Sequence, residues 1–227
     1  MIKQKTDNRN GADAPVAEQI RQWIRRRKLR PGDRLPTHDE LSAQLGIGLR
    51  RLREGLSVLE HQGLIETRAK AGTLVRQPAV ESLSAPVAWH LDAAGCQFED
   101  LVRARAHLES GAAAEAAERR TARDLLVILD ALEALEQATA ASRDDRREEQ
   151  AFHLAILAAA HNSALATFSQ LITLQLARVS GVPRSRRRRA TYTAEHRAIY
   201  EAIERRDTTA ARERMFEHVV GQLAEQG

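Results

Sequence analysis

Between residues 14 and 75 the chain is punctuated in an order that few folds accommodate. Val16, Ile20, Trp23 and Ile24 recur at helical spacing, which predicts a helix over 14–29. Arg25, Arg26, Arg27 and Lys28 crowd its end, where cations suit the negative end of the helix dipole. Pro31-Gly32-Asp33 is a turn signal that stops it. Thr37 and Glu40 then have the Thr-x-x-Glu spacing of a capping box, so a short helix is expected through Leu45, closed by Gly46. Gly48 opens a third helix, about 49–62, and Gly63 ends it. At about 100° per residue, Leu49, Leu52, Leu56 and Leu59 fall on one side of that helix. Arg50, Arg53, Ser57 and His61 fall on another, with Glu54 among them. Leu64 to Arg68, Ala69 to Gly72 and Thr73 to Val75 read as strand, turn, strand. Helix, short helix, helix, hairpin is the order of a winged helix-turn-helix, whose third helix enters the DNA major groove.

Charge supports that reading. The 227-residue chain has a net charge of +4, but residues 1–78 hold sixteen Lys and Arg against nine Asp and Glu, a local +7. The remainder is left at −3. A basic front joined to a mildly acidic back suggests two jobs, the first concerned with a polyanion. An arginine-rich face is ordinarily just a solvated one; here order, spacing and charge coincide, and arginine suits forked contacts to phosphate and guanine.

The stretch Pro31-Gly32-Asp33-Arg34-Leu35-Pro36-Thr37 through Arg53-Glu54-Gly55-Leu56, then Leu59 to Ile65 and Gly72-Thr73-Leu74-Val75, resembles the GntR-type transcription regulators. In that family the second helix brings an arginine where this chain has Asp39. The turn and early third helix there read Ser-Arg-Thr-x-x-Arg, where this chain has Gly48-Leu49-Arg50-Arg51-Leu52-Arg53. Arg53 and the wing glycine, Gly72, carry over directly, and Arg50 and Arg51 supply displaced positive charge. The resemblance implies binding to a double-stranded DNA operator, with Arg34, Thr37, Arg50, Arg51, Arg53, Lys70 and Gly72 as candidate contacts.

Residues 1–76 are therefore expected to form the DNA-binding domain, ordered from about residue 12, with 77–84 as linker and 85–227 as a second domain. Alanine and leucine content makes that second half helical by pattern. Helices are expected near 85–93, 97–119, 122–140, 144–160, 163–180, 191–205 and 208–225, with Asn162 and Asp207 as N-caps and Gly181-Val182-Pro183 as a break. No strand pattern competes, so the fold class is mostly α: a winged helix-turn-helix followed by an antiparallel helical bundle. The run Arg184-Ser185-Arg186-Arg187-Arg188-Arg189 is placed in a helix connection, as a solvated loop.

Glu149 and His153 lie four apart on one helix, and His196 and His218 sit among apolar residues of the last two. Arg105 shares the first long helix with Glu109. A carboxylate and three imidazoles facing a bundle interior can bind a divalent metal with open positions; each histidine alone is as readily a hydrogen-bonded core residue. His107 and His161 are assigned exposed or core roles. The single cysteine, Cys96, excludes a disulfide framework and a Cys-rich zinc module. No run of about 18 apolar residues suggests a membrane span, and the start MIKQKTDNRN lacks a secretory core, so a cytoplasmic setting is expected.

Glu149-Gln150-Ala151-Phe152-His153 followed by His161-Asn162 resembles the Asp-x-x-Phe-His…Asn stretch of the FadR-subfamily effector domain, called FCD. The His196 to His218 segment resembles its ending, and Arg105-x-x-Leu108-Glu109 its beginning. The resemblance implies a divalent metal, zinc or nickel with manganese allowed, held by Glu149, His153, His196 and His218. It also implies a small organic-acid effector clamped by Arg105. The expected function is a dimeric, metabolite-responsive regulator acting as a repressor, and not an enzyme. Two alternatives are a regulator with the ion itself as signal and a metal-dependent hydrolase. The hydrolase leaves the DNA head unexplained and has no second carboxylate standing out as a placed base.

Overall fold

The computed structural model describes residues 15–179, 186–221 and 223. The chain divides into two compact units between Ser82 and Leu83.

In the first unit, α1 (Val16–Arg26), α2 (His38–Leu45) and α3 (Leu49–His61) precede strands β1 (Ile65–Arg68) and β2 (Gly72–Val75). The capping box forms: the Thr37 hydroxyl accepts from the Glu40 amide, and the Glu40 carboxylate accepts from the Thr37 amide at 2.9 Å. Gly46 closes α2 in the left-handed region, φ +67°. Helix α1 ends at Arg26, earlier than expected, because Lys28 turns left-handed at φ 55°. Ile20, Leu35, Leu41, Leu52, Leu56, Leu59, Ile65 and Val75 form the core. Leu49, expected on the buried side of α3, is 37% exposed in its first turn; the buried stripe begins at Leu52. Gly55 lets α1 and α3 touch, since a Cβ there would lie 2.7 Å from Val16 Cγ1 and 3.1 Å from the Ala17 amide nitrogen. The strands pair antiparallel, Ile65 with Val75 and Arg68 with Gly72, and Lys70 takes the left-handed conformation at the tip.

A single 3-10 turn, Val80–Leu83, occupies the stretch expected as linker. The second unit contains α4 (Ser84–Ala93), α5 (Phe98–Arg119), α6 (Ala122–Ala140), α7 (Arg146–Ala159), α8 (Ser163–Val179), α9 (Arg186–Glu204) and α10 (Thr208–Val220). Helix α5 packs against α7, α8, α9 and α10. Its run of buried alanines, Ala112, Ala113, Ala114, Ala116 and Ala117, lets four neighbours approach closely. Asn162 and Asp207 cap α8 and α10 through the amides of Leu165 and Ala210. Two arginines cross-cap the ends of α5 and α9. Arg120 donates to the carbonyls of Ile203 and Glu204, and Arg206 to those of Glu118 and Arg120. Arg186 to Arg189 form the first turn of α9 and not a connecting loop, a correction to the pattern reading. Gly181, Val182, Pro183, Arg184 and Ser185 lie outside the described residues.

Candidate metal centre and DNA-reading face

The four candidate ligands come from three helices, Glu149 and His153 both from α7, and the bundle core brings the three histidines together. His153 on α7, His196 on α9 and His218 on α10 are buried to 3%, 0% and 1% exposure. They offer ligand atoms that all lie within 4.8 Å of one another. The ring centroids are 5.6 Å apart for His153 and His196, 5.3 Å for His153 and His218, and 4.2 Å for His196 and His218.

The Nδ1 atoms of His196 and His218 meet acceptors at hydrogen-bond distance, and that of His153 lies at ion-pair distance from a carboxylate. That of His153 lies 2.7 Å from Glu109 Oε2, that of His196 2.7 Å from the Tyr192 carbonyl, and that of His218 2.9 Å from Glu195 Oε2. A carbonyl can only accept, so neutral His196 carries its proton on Nδ1 and keeps the Nε2 lone pair. Among the described residues, Nε2 of His153 and of His196 are buried with no hydrogen-bond partner, and the contact of His153 Nδ1 with Glu109 Oε2 is an ion-pair contact, not a well-directed hydrogen bond. A buried imidazole nitrogen with a lone pair and no donor costs free energy unless something electropositive meets it. That donor set, neutral imidazoles with oriented outer partners, fits a divalent ion of borderline softness.

Glu149 does not join the group. It is buried one turn before His153, and its carboxylate accepts from the Tyr192 hydroxyl. The tyrosine ring lies 4.5 Å from the His196 ring and 4.6 Å from that of His218, so it packs against two of the three imidazoles.

Arg105 on α5 is also buried, and its Nε donates to Glu109 Oε1 at 2.8 Å. Ser169 on α8 donates to the same oxygen at 2.8 Å. Burial opposes the charge on Glu109, but Arg105 and then His153 hold its carboxyl well below the usual carboxylate range. Burial likewise opposes the charge on Arg105, and the attraction of Glu109 outweighs it, so the guanidinium stays charged. Burial first, then the neighbouring His218 and His153, push the His196 imidazole well below 6.5. Among the described residues, Nη1 and Nη2 of Arg105 have no protein hydrogen-bond partner. Spacing placed Arg105 and Glu109 on one face but did not show that Glu109 is shared with His153. Tyr192 precedes His196 by one helical turn, a signal the sequence carried and the pattern reading passed over. Ser169 and Glu195 had none.

In the first unit, Arg50, Arg51 and Arg53 are exposed on α3, with Arg50 paired to Glu54 at 3.2 Å. The Thr37 hydroxyl donates to Glu40 at 2.9 Å, so its place here is the cap. Asp39 is exposed in the first turn of α2. At the wing, the Arg34 guanidinium lies over Gly72, where a Cβ would meet its Nε at 2.7 Å, and Lys70 is exposed at the tip.

A winged helix-turn-helix with a cationic reading helix, followed in one chain by a helical unit with a buried cluster of polar side chains, defines a DNA-binding transcription regulator. Residues 13–75 match the family described as bacterial regulatory proteins, gntR family, and residues 100–221 match the FCD domain. The chain belongs to the GntR family of transcription regulators, in the branch that carries an FCD domain. It is 32% identical to the Uxu operon transcriptional regulator of Escherichia coli (strain K12) over 216 residues, 90% of this chain and 82% of that protein. It is 32% identical to the HTH-type transcriptional regulator LutR of Bacillus subtilis (strain 168) over 142 residues, spanning 63% of this chain and 65% of that one. The fold is that of the solved Streptococcus agalactiae GntR, with a TM-score of 0.75, 22% identity and coverage of 93% of this chain and 98% of that one. The relatives are regulators and not enzymes, which sets the hydrolase reading aside. No helix among the described residues is long and apolar enough to cross a membrane.

Proposed function

We propose that this regulator is a cytoplasmic homodimer whose operator affinity is set by a small organic acid bound beside a divalent metal in the helical unit, and that it acts as a repressor. The observation that carries the reading is the convergence of three buried imidazoles, one of which shares the Glu109 carboxylate with buried Arg105. His153, His196 and His218 would hold the ion, with zinc and nickel the best matches to imidazole and manganese a weaker one. Glu149 is the further acidic group in reach of the same pocket, available when the Tyr192 hydroxyl releases it. A bound ion supplies positive charge and an open position for a carboxylate oxygen. Arg105 presents Nη1 and Nη2 in the parallel arrangement that matches a carboxylate edge, and its bond to Glu109 fixes their direction. The phenol of Tyr192 and the ring of Phe152, 5.0 Å from His196, wall the imidazoles from water.

On the DNA side, Arg50, Arg51 and Arg53 would read the major groove, with Arg34, Lys70 and Gly72 at the wing. Thr37 would contact phosphate by exchanging its bond to Glu40. Half-sites about one helical turn apart call for a symmetric pair of heads. An acid that binds one arrangement of the pair more tightly shifts the population toward it, and only that difference in affinity can do so.

Fluorescence anisotropy on labelled DNA from upstream of the protein's own gene tests this. Binding should be sequence-selective and salt-sensitive. An acid from a panel of mono- and dicarboxylates should weaken binding when metal is present and lose its effect after chelation. Deleting the gene should raise expression of a reporter under that DNA; a fall would reverse the sign of regulation. Affinity that follows metal with no acid present would make the ion the signal. No response to either would sink the effector reading.

A further inference from the structure

Resting on that reading of the pocket, we propose that Glu109 is its positioning residue: one carboxylate that fixes the ligating face of His153 and the forked end of Arg105 at the same time. Its two oxygens divide the work. Oε1 accepts from Arg105 Nε at 2.8 Å and from Ser169 Oγ at 2.8 Å, while Oε2 lies 2.7 Å from His153 Nδ1. All four residues are buried, with Glu109 at 2% exposure and Ser169 at 0%, so water cannot replace any of these contacts.

The consequence for His153 is a matter of proton inventory. An ionised carboxylate is acceptor-only, so with Oε2 2.7 Å from Nδ1 a neutral His153 keeps its proton there and its lone pair on Nε2, which has no hydrogen-bond partner of its own among the described residues. The consequence for Arg105 is geometric. Glu109 takes Nε, which leaves Nη1 and Nη2 without a protein partner among the described residues and available as a pair of donors to an acid. The ion site and the acid site are therefore set by a single group, and Ser169 on α8 seats it.

Glu109→Gln separates this from a merely structural role. The amide keeps the shape but has one acceptor and one donor end. With its oxygen toward Arg105 and Ser169, its NH2 faces His153 and imposes the Nε2–H tautomer, which removes the lone pair that would ligate. Flipped, it accepts from His153 but turns its NH2 against Arg105 Nε–H. One amide cannot serve both partners.

The test uses the full chain stripped of metal by a chelator, at about pH 8, with 15N-labelled histidine and arginine. In the wild type, His153 should read as the Nδ1–H tautomer and the Arg105 Nε–H should exchange slowly. E109Q should convert His153 to Nε2–H or release the Arg105 Nε–H to fast exchange. Its Zn2+ affinity, by competition with a chromophoric chelator, should fall by about 10–100-fold. A wild-type His153 in the Nε2–H form overturns the proposal without any variant, even if E109Q does not fold. So does an E109Q protein whose two signals are unchanged and whose Zn2+ affinity stays within about threefold of the wild type. A wild type that takes up no metal would refute the metal reading instead, while the two proton signals still decide on Glu109.

Discussion

Replacing Gly72 with alanine should weaken operator binding through Arg34. Gly72 sits at φ +78°, and a Cβ built on it lies 2.7 Å from Arg34 Nε, 2.9 Å from Nη2 and 3.1 Å from Cζ. All three atoms belong to the tip of an exposed side chain, so the guanidinium swings away and the clash itself costs little. What remains is the left-handed backbone, about 1–2 kcal/mol for a residue with a Cβ, which the head can lose without unfolding. The swing removes one placed cation from the wing. Operator affinity should drop by about tenfold, equivalent to about 1.4 kcal/mol, and the dependence of log K on log salt should flatten by about one. Arg34→Ala should give the same loss and the same flattening. The double mutant should lose no more than a few tenths of a kcal/mol beyond either single one, because both remove one contact. Anisotropy titrations of the four proteins at several salt concentrations measure all of this. Additive losses, or a Gly72→Ala protein with an unchanged salt slope, would refute the idea that Gly72 acts by seating Arg34.

Gly55→Leu should lower the stability of the first unit by about 1–3 kcal/mol, since the Ala17 backbone at 3.1 Å cannot rotate out of the way. Urea unfolding followed by Trp23 fluorescence in a Trp89→Phe background reads it. Metal-free protein should lose stability in acid through His196. Its folded form resists protonation, whereas the unfolded chain takes up a proton near 6.5, so the contribution is complete above that pH and disappears as pH falls through it. A melting temperature flat above about pH 7 and declining below 6.5, with the decline reduced in His196→Asn, is the expected record; an unchanged slope in that variant would remove His196 as the cause. Arg105→Met should cost about 3–5 kcal/mol by stranding buried Glu109, and adding Glu109→Leu should restore most of it. A single-mutant loss under about 1 kcal/mol would mean that Glu109 is not stranded when the guanidinium goes.

Most of the secondary structure was legible because its causes are local. The Thr37 and Glu40 box, the left-handed Gly46 and the caps at Asn162 and Asp207 each involve residues three or four apart, and all appear. The errors are local too. Leu49 satisfies the angular pattern of α3 but sits in a first turn with nothing over it, and Arg186 to Arg189 continue into α9 despite the Gly181 and Pro183 signals before them.

By spacing alone the site was legible only as faces, and it was the family resemblance that grouped Glu149, His153, His196, His218 and Arg105. Spacing set Glu149 and His153 on one side of α7 and aligned Arg105 with Glu109, because the helical repeat alone decides which residues share a face. Which atoms meet across helices depends on how each helix is rotated and shifted against its neighbours, and that is settled by packing of the whole core. Only the tertiary structure therefore put ligand atoms of His153, His196 and His218 within reach of one another, sent Glu149 to the Tyr192 hydroxyl, and placed one carboxylate of α5 between an arginine and an imidazole.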